Sequence, residues 1–135
     1  MEKDFIYTAG LIDGEGTIGL VKANKNQFKS PYVSVSSTTF ELVDYLKNTY
    51  GGYISKHKVY QNHHKQSYSW KINFHKAIEF IQNILPYLKE PEKIRRANLI
   101  IDEYEKVTKR NGKYSSDELK FKLDFEHRFF HPSEP

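Results

Sequence analysis

The sequence has 135 residues, the length of one compact domain, and we expect residues 1–135 to share a single core. Hydrophobic residues make up 38% and charged residues 28%, and ten tyrosines, nine phenylalanines and one tryptophan argue against a disordered chain. The absence of cysteine excludes disulfide scaffolds, thiolate zinc sites and cysteine nucleophiles. No apolar run approaches a membrane helix, and the mixed charges at the N-terminus are unlike a secretory signal. We therefore expect an intracellular protein with no membrane partner.

The positive charge is concentrated in one segment. Net charge is only +4, but residues 16–78 hold nine lysines against two acids, Glu41 and Asp44. Residues 1–15 hold one lysine and four acids, and residues 79–135 balance eleven against eleven. This asymmetry favours a polyanionic partner, the alternative being a solvated lysine-rich surface.

The periodicity of apolar residues predicts the element order α-β-β-α-β-β-α with two further helices. Asp4 is expected to cap a first helix, Thr39 a second, and the Gly51–Gly52 pair to end that second helix. The predicted helices cover residues 5–13, 41–48, 77–88, 91–109 and 116–130, and the predicted strands cover residues 17–25, 32–37, 53–60 and 67–74. Residues 130–135 are expected to fray. The fold class is α+β, with a curved four-stranded antiparallel sheet backed by helices.

Each predicted strand has one apolar face and one polar face with almost no acids. Such a sheet can enter a DNA major groove, although an ordinary half-solvated sheet alternates in the same way. Alternation nominates these DNA contacts: Gly19, Val21, Ala23, Tyr32, Ser34, Ser36, Ser55, His57, Ser67, Ser69, Lys71 and Asn73. The turn between the first two strands adds Lys25, Asn26 and Gln27, and Lys58 is included although alternation does not place it outward. On the third strand the same alternation turns Lys56 and Lys58 inward, so we expect a bulge or strong twist near His57. His63 and His64 are too few ligands for zinc and are expected to meet DNA or solvent.

The segment TAGLIDGEG, residues 8–16, breaks several local rules. A glycine inside a helix costs about 1 kcal/mol relative to alanine. Gly10 and Gly14 nevertheless lie on one helical face, with Tyr7 and Leu11, where a second backbone could approach closely. Two carboxylates follow at the helix end, which already carries partial negative charge. Such conflicts indicate a functional site, and a bound divalent cation such as Mg²⁺ would relieve the repulsion.

This nonapeptide resembles the signature of the LAGLIDADG homing endonucleases, from which it departs at Thr8, Gly14 and Glu15. The element order and the stretch LPYLKEPEKIRRANLII also resemble that family across nearly the whole chain. A single copy of the motif implies a homodimer whose interface is formed by Tyr7, Gly10, Leu11, Asp13 and Gly14. The resemblance implies two or more Mg²⁺ ions per dimer, held by Glu15 and the Gly14 carbonyl, with Mn²⁺ or Ca²⁺ able to substitute in binding.

The resemblance also implies catalytic residues besides Glu15. Aligned backward from Ala97 and Asn98, the active-site lysine of the family falls on Lys93. Aligned forward from Pro86 it falls on Pro91, which cannot perform the task. Lys71 is the second candidate for this lysine. Ser37 occupies the place of a water-positioning polar residue.

The function implied is site-specific cleavage of both strands of a long pseudo-palindromic DNA target by Mg²⁺-dependent phosphodiester hydrolysis. No small-molecule substrate is expected. The alternatives are an RNA maturase that assists intron splicing, a non-cleaving DNA-binding regulator, or a structural domain that only dimerises. A chain of this kind is expected from an intron or a free-standing gene, in a bacterial or phage cytoplasm or an organelle matrix.

Overall fold

The computed structural model describes residues 1–24, 27–59, 65–109 and 112–132. In chain order the elements are α1 (Glu2–Glu15), β1 (Gly16–Lys22), β2 (Lys29–Ser37), α2 (Phe40–Tyr50), β3 (Tyr53–Lys56), β4 (Tyr68–Asn73), α3 (Phe74–Ile84), a 3₁₀ turn (Leu85–Tyr87), α4 (Pro91–Leu99), a π-helical turn (Ile100–Tyr104), α5 (Glu105–Val107) and α6 (Ser116–Phe130). The predicted α+β order, with added C-terminal helices, is confirmed.

The four strands form one antiparallel sheet in the order β1-β2-β4-β3. In its register Ile18 lies opposite Val33 on β2, and Val33 lies opposite Ile72 on β4. These side chains and that of Trp70 are buried beneath the helices. Because side chains alternate along a strand, the opposite face is left to the polar residues. The sheet therefore has one core face and one free face, as its alternation predicts.

The turn after α2 is fixed by two glycines. Gly51 ends the helix, and both Gly51 and Gly52 have φ of +86°, which favours glycine. A Cβ at Gly52 would lie 2.4 Å from the Lys71 carbonyl oxygen, while the Trp70 indole donates to the Gly51 carbonyl at 2.8 Å. The predicted helix stop is thus confirmed, and it also seats the central tryptophan of the core.

Three local predictions are wrong. The first helix begins at Glu2, so Asp4 is not its cap; the Asp4 carboxylate accepts a hydrogen bond from the Tyr45 hydroxyl at 2.6 Å. Phe74 does not continue the core face of β4, because it starts α3 with φ of +56° and is 46% exposed. The side chains of Lys56, the last residue of β3, and Lys58, beyond the strand end, are both exposed, so neither lysine is turned into the core and no bulge is needed.

The C-terminal part wraps the core with α4 to α6. The helix predicted over residues 91–109 begins at Pro91 as expected but passes through a π-helical turn and ends at Val107. Helix α6 has the predicted bounds and opens with a capping box between Ser115 and Glu118. It buries Phe125 and Phe129.

Within the described ranges, no helix is long and apolar enough to cross a membrane.

Candidate nucleic-acid interface and metal centre

The motif helix ends in two carboxylates with different surroundings. Asp13 Oδ2 accepts the backbone N–H of Lys89 at 2.9 Å, and its Oδ1 accepts that of Glu90, also at 2.9 Å. Glu15 is exposed and makes no hydrogen bond or ion pair with the residues that the structure describes. Amide donors therefore offset the repulsion at the helix end for Asp13 but not for Glu15. Asp13 serves the end of its own helix, and its place in a dimer interface stays a prediction.

Lys93 lies against the same helix end. It is on the first turn of α4, and its ammonium donates to the Asp13 carbonyl oxygen at 2.7 Å. Pro91, the other residue considered for this position, is the first residue of α4. The free carbonyls at a helix C-terminus attract a cation, which accounts for the direction of this lysine. The structure thus brings Lys93 beside the residues that flank Glu15.

One face of α1 is open at Gly10 and Gly14 with respect to the residues that the structure describes. A Cβ at Gly10 or Gly14 would meet nothing within 4 Å, and both glycines are exposed. On this side Tyr7 is 53% exposed. Ile6 is 50% exposed and was not among the interface residues predicted from the sequence. Leu11 is half-buried against its own core. A smooth helical face flanked by exposed apolar side chains fits contact with another backbone.

A shallow groove joins the motif to the free face of the sheet. Its lining residues are Glu15, Ser36, Ser37, Thr38, Leu42, His57 and Ser67. Ser37 Oγ accepts the Thr39 N–H at 3.0 Å, so this serine forms the turn into α2 as well as lining the groove. Thr38 and Leu42 were not predicted from the sequence, because their proximity to Glu15 depends on how α2 is placed relative to α1.

His57 and three serines form a hydrogen-bonded chain on the free face. The Ser36 and Ser69 hydroxyl oxygens are 2.7 Å apart, and Ser69 Oγ is 2.6 Å from His57 Nε2. His57 Nδ1 is 2.5 Å from Ser67 Oγ. Four residues that alternation selected separately are therefore one connected unit.

Tyr32 covers part of the same face. A Cβ on Gly19 would come within 2.5 Å of the Tyr32 ring, so this glycine is buried beneath the ring and presents no surface of its own. The Lys71 ammonium lies over this ring, 4.5 Å from its centroid. Lys71 is thus on the free face of the sheet rather than at the motif helix.

The remaining DNA-contact candidates divide by exposure. The exposed candidates are Val21, Ala23, Gln27, Ser55 and Lys58, and the half-buried ones are Ser34 and Asn73. Lys25 and Asn26, together with His63 and His64, lie outside the described residues.

The donor set of one chain fits a divalent cation only in part. Glu15 supplies one unpaired carboxylate, and Gly14 supplies a backbone carbonyl in the last helical turn, both hard oxygen donors. No cluster of three or more acidic or histidine ligands exists among the described residues. A complete site would therefore need further oxygen atoms from water, from phosphate or from a second chain.

Comparison with known proteins identifies the fold. No family model and no curated protein matches the sequence, but solved structures do. The archaeal intron-encoded homing endonuclease I-Vdi141I, complexed with DNA, has a TM-score of 0.63 at 18% identity, covering 98% of this chain and 86% of its own. I-CvuI, in complex with its target in the presence of calcium, has a TM-score of 0.68 at 13% identity, covering 99% of this chain and 84% of its own.

A third structure differs in length. The LAGLIDADG homing endonuclease I-GzeII in complex with its DNA target has a TM-score of 0.62 at 20% identity, and the match covers 90% of this chain but 43% of I-GzeII. A further I-CvuI complex was obtained in the presence of magnesium with its DNA not cleaved. This chain therefore has the fold of the LAGLIDADG homing endonucleases, as the nonapeptide implied.

Proposed function

We propose that this protein is a homing endonuclease that cuts both strands of a DNA target as a homodimer, by divalent-metal-dependent hydrolysis. The observation that carries the proposal is the position of Glu15. Its carboxylate is exposed, and none of the described residues pairs with it, where the motif helix meets the polar groove of the sheet. The solved structures of I-Vdi141I and I-CvuI, which have this fold, are complexes with DNA. An acid exposed at this position could therefore act on the DNA backbone rather than stabilise its own chain.

The residues around Glu15 have separable roles. Glu15 and the Gly14 carbonyl would hold the cation, whose chemistry when bound is activation of the attacking water and stabilisation of the leaving 3′-oxygen. Lys93, anchored on the Asp13 carbonyl, would offset the negative charge that develops on the phosphate. Ser37 would orient water from the groove. Tyr32, Lys71 and the serines of the free face would bind the duplex.

Homodimerisation is supported by the open glycine face of α1. Gly10 and Gly14 keep a helical surface clear that the single chain does not use. One copy of this fold matches less than half of the I-GzeII chain, but more than four-fifths of the I-CvuI chain. A chain with one copy of the fold needs a second copy to cut two strands. The two Glu15 carboxylates would then meet across the contact, where cations between them are required for charge balance.

The test is cleavage of a randomised duplex-DNA library with Mg²⁺, comparing the wild type with Glu15→Gln. Cuts that recur at one pseudo-palindromic site and disappear in the variant would support the proposal. Because Glu15 makes no intrachain bond, the variant should fold and still select the same DNA without cutting it.

The same library separates the alternatives. A wild type that selects duplex DNA but never cuts it would favour the regulator, which the free polar face also accommodates. Selection of RNA in place of DNA would favour the maturase. Either result would overturn cleavage as the function.

A further inference from the structure

The hydrogen-bonded chain of Ser36, Ser69, His57 and Ser67 is fixed by the backbone around it. Ser36 and Ser69 are paired residues of β2 and β4, so their hydroxyl groups meet across the strands. The His57 backbone N–H donates to the Ser67 carbonyl at 2.9 Å, which continues the pairing beyond the end of β3. The Gln66 amide donates to the His57 carbonyl at 2.6 Å. The imidazole is thus held between two hydroxyl groups on a surface turned away from the core.

This chain has only two directions while the imidazole is neutral, because the ring then has one N–H donor and one acceptor nitrogen. With hydrogen on Nδ1, the ring donates to Ser67 and accepts from Ser69, which accepts from Ser36. Ser67 then keeps a hydrogen for the DNA, and Ser36 has only lone pairs left. With hydrogen on Nε2 every bond reverses, so Ser36 keeps the hydrogen and Ser67 has only lone pairs.

Resting on the proposed DNA-binding function, we infer that His57 is a positioning residue that couples the base preferences of Ser36 and Ser67. A lone serine accepts either a donor or an acceptor on a base edge, so it discriminates poorly. Joined through His57 and Ser69, the two end hydroxyls always have opposite character. A base acceptor at one contact therefore requires a base donor at the other. Specificity arises from the pair, although neither serine has it alone.

The experiment measures binding of the protein to a duplex library in which the selected half-site carries every single and double base change. It is run without Mg²⁺ to prevent cutting. For one pair of base positions, the site with both changes, which exchanges donor and acceptor, should bind more tightly than the two single changes together predict. Its affinity should exceed the product of the two single-change effects by about two- to tenfold, and this ratio is the recovery factor. That range corresponds to one hydrogen bond of about 0.5–1.5 kcal/mol.

Two variants break the chain at different points. His57→Ala removes the imidazole, and Ser69→Ala leaves it in place but disconnects Ser36. Both should make the two positions independent, with the recovery factor falling to one. The matched control is His75→Ala, because His75 is an exposed histidine of α3 outside the groove and the free face; it should leave the recovery factor unchanged. Since all three residues lie outside the core, melting temperatures should stay close to that of the wild type.

The outcomes separate this inference from the proposed function. A wild type that selects no DNA overturns both. A wild type that selects a site whose positions contribute independently overturns the coupling alone. The coupling is also overturned by His57→Ala or Ser69→Ala proteins that retain the wild-type recovery factor.

Discussion

At the scale of single residues, Asp13 and Glu15 are two carboxylates at one helix end with opposite surroundings. Asp13 accepts backbone N–H groups from the segment before α4, and Lys93 donates to its carbonyl. Glu15 is exposed and has no partner among the described residues. The motif therefore contains one acid bonded within the fold and one that the proposed function assigns to the reaction, and substitutions should separate the two.

We expect Asp13→Ala to lower the free energy of unfolding by about 1–3 kcal/mol, because two backbone donors lose their acceptor. Glu15→Ala should change stability by less than about 0.5 kcal/mol and abolish cleavage. Denaturant unfolding of both variants, with a cleavage assay, measures the difference. Equal loss of stability in both would contradict the division of roles.

Lys122 is a second residue whose surroundings decide its chemistry. It lies on α6 fully buried, with its ammonium 2.6 Å from Thr108 Oγ1 and 4.4 Å from the centroid of the Tyr104 ring. Burial lowers the pKa of this ammonium to about 8, against the smaller opposing charge of Glu126. The folded protein therefore releases the proton near pH 8, while the unfolded chain holds it to about pH 10.5.

Because the unfolded state binds more protons in this window, the Lys122 contribution to stability rises with pH between about 8 and 10. Below pH 8 the buried charge costs up to about 3 kcal/mol. We expect Lys122→Met to be more stable than the wild type at pH 7, with an advantage that shrinks as pH approaches 10. Burial and the hydrogen bond to Asp4 raise the pKa of Tyr45 to about 12. Above pH 10 the unfolded chain therefore loses this proton before the folded protein does, and the stability of both proteins falls alike. Chemical unfolding at pH 7, 8.5 and 10 measures this difference, and one that stays constant with pH would refute the assignment.

At the scale of elements, helix α1 performs two tasks on opposite sides. Its buried side carries Thr8, Ala9 and Ile12 into the core, and its other side keeps Gly10 and Gly14 open. Glycine is costly inside a helix that has space for a larger residue. The open glycines are therefore consistent with the dimer contact that the proposed function places on this face.

The prediction for this helix is that stability and assembly respond in opposite directions. Gly10→Ala should raise the stability of the single chain by up to about 1 kcal/mol, since the added methyl group meets nothing. It should weaken the dimer, and Gly10→Leu should weaken it further, because the second helix could no longer approach. Sedimentation velocity over a concentration series measures assembly, and unfolding curves measure stability. A dimer equally strong in all three proteins would exclude this face as the interface.

At the scale of the whole molecule, the layout separates a helical side from a binding side. The helices cover the apolar face of the sheet. Residues 16–78, which contain the four strands, hold nine lysines, and Lys71 among them lies on the other face. Phosphate contacts release counterions, so DNA affinity should fall steeply with salt. Lys71, whose ammonium lies over Tyr32, is the described lysine best placed to test this.

We expect Lys71→Gln to weaken DNA binding and to reduce the slope of log affinity against log salt by about 0.9, the value for one phosphate contact. The control is Lys120→Gln, an exposed lysine of α6, which should leave the slope unchanged. Fluorescence anisotropy between 50 and 300 mM salt, without Mg²⁺, provides the measurement. Equal slopes for Lys71→Gln and the wild type would place Lys71 outside the phosphate contacts.

The element order and the core face of the sheet follow from the sequence alone, and the sequence also selects Glu15 as the candidate functional acid. These follow from local rules: strand alternation predicted one apolar face for each strand, the glycine pair predicted the end of α2, and the charge conflict at the helix end selected the two carboxylates, of which the resemblance singles out Glu15. Each signal lies within a few neighbouring residues, so it can be read without the fold. The nonapeptide also implied the homing-endonuclease fold that the structural comparison confirms.

Which of these residues contact one another depends on the tertiary structure. It brought the Asp13 carboxylate to the amides before α4, Lys93 to the end of α1, and His57 to the serines of β2 and β4. It also placed the Tyr32 ring over Gly19 and buried Lys122 where a helical pattern would put an apolar side chain. These contacts join residues distant in sequence, because strand register and helix packing set their distances. Local periodicity contains no information about either.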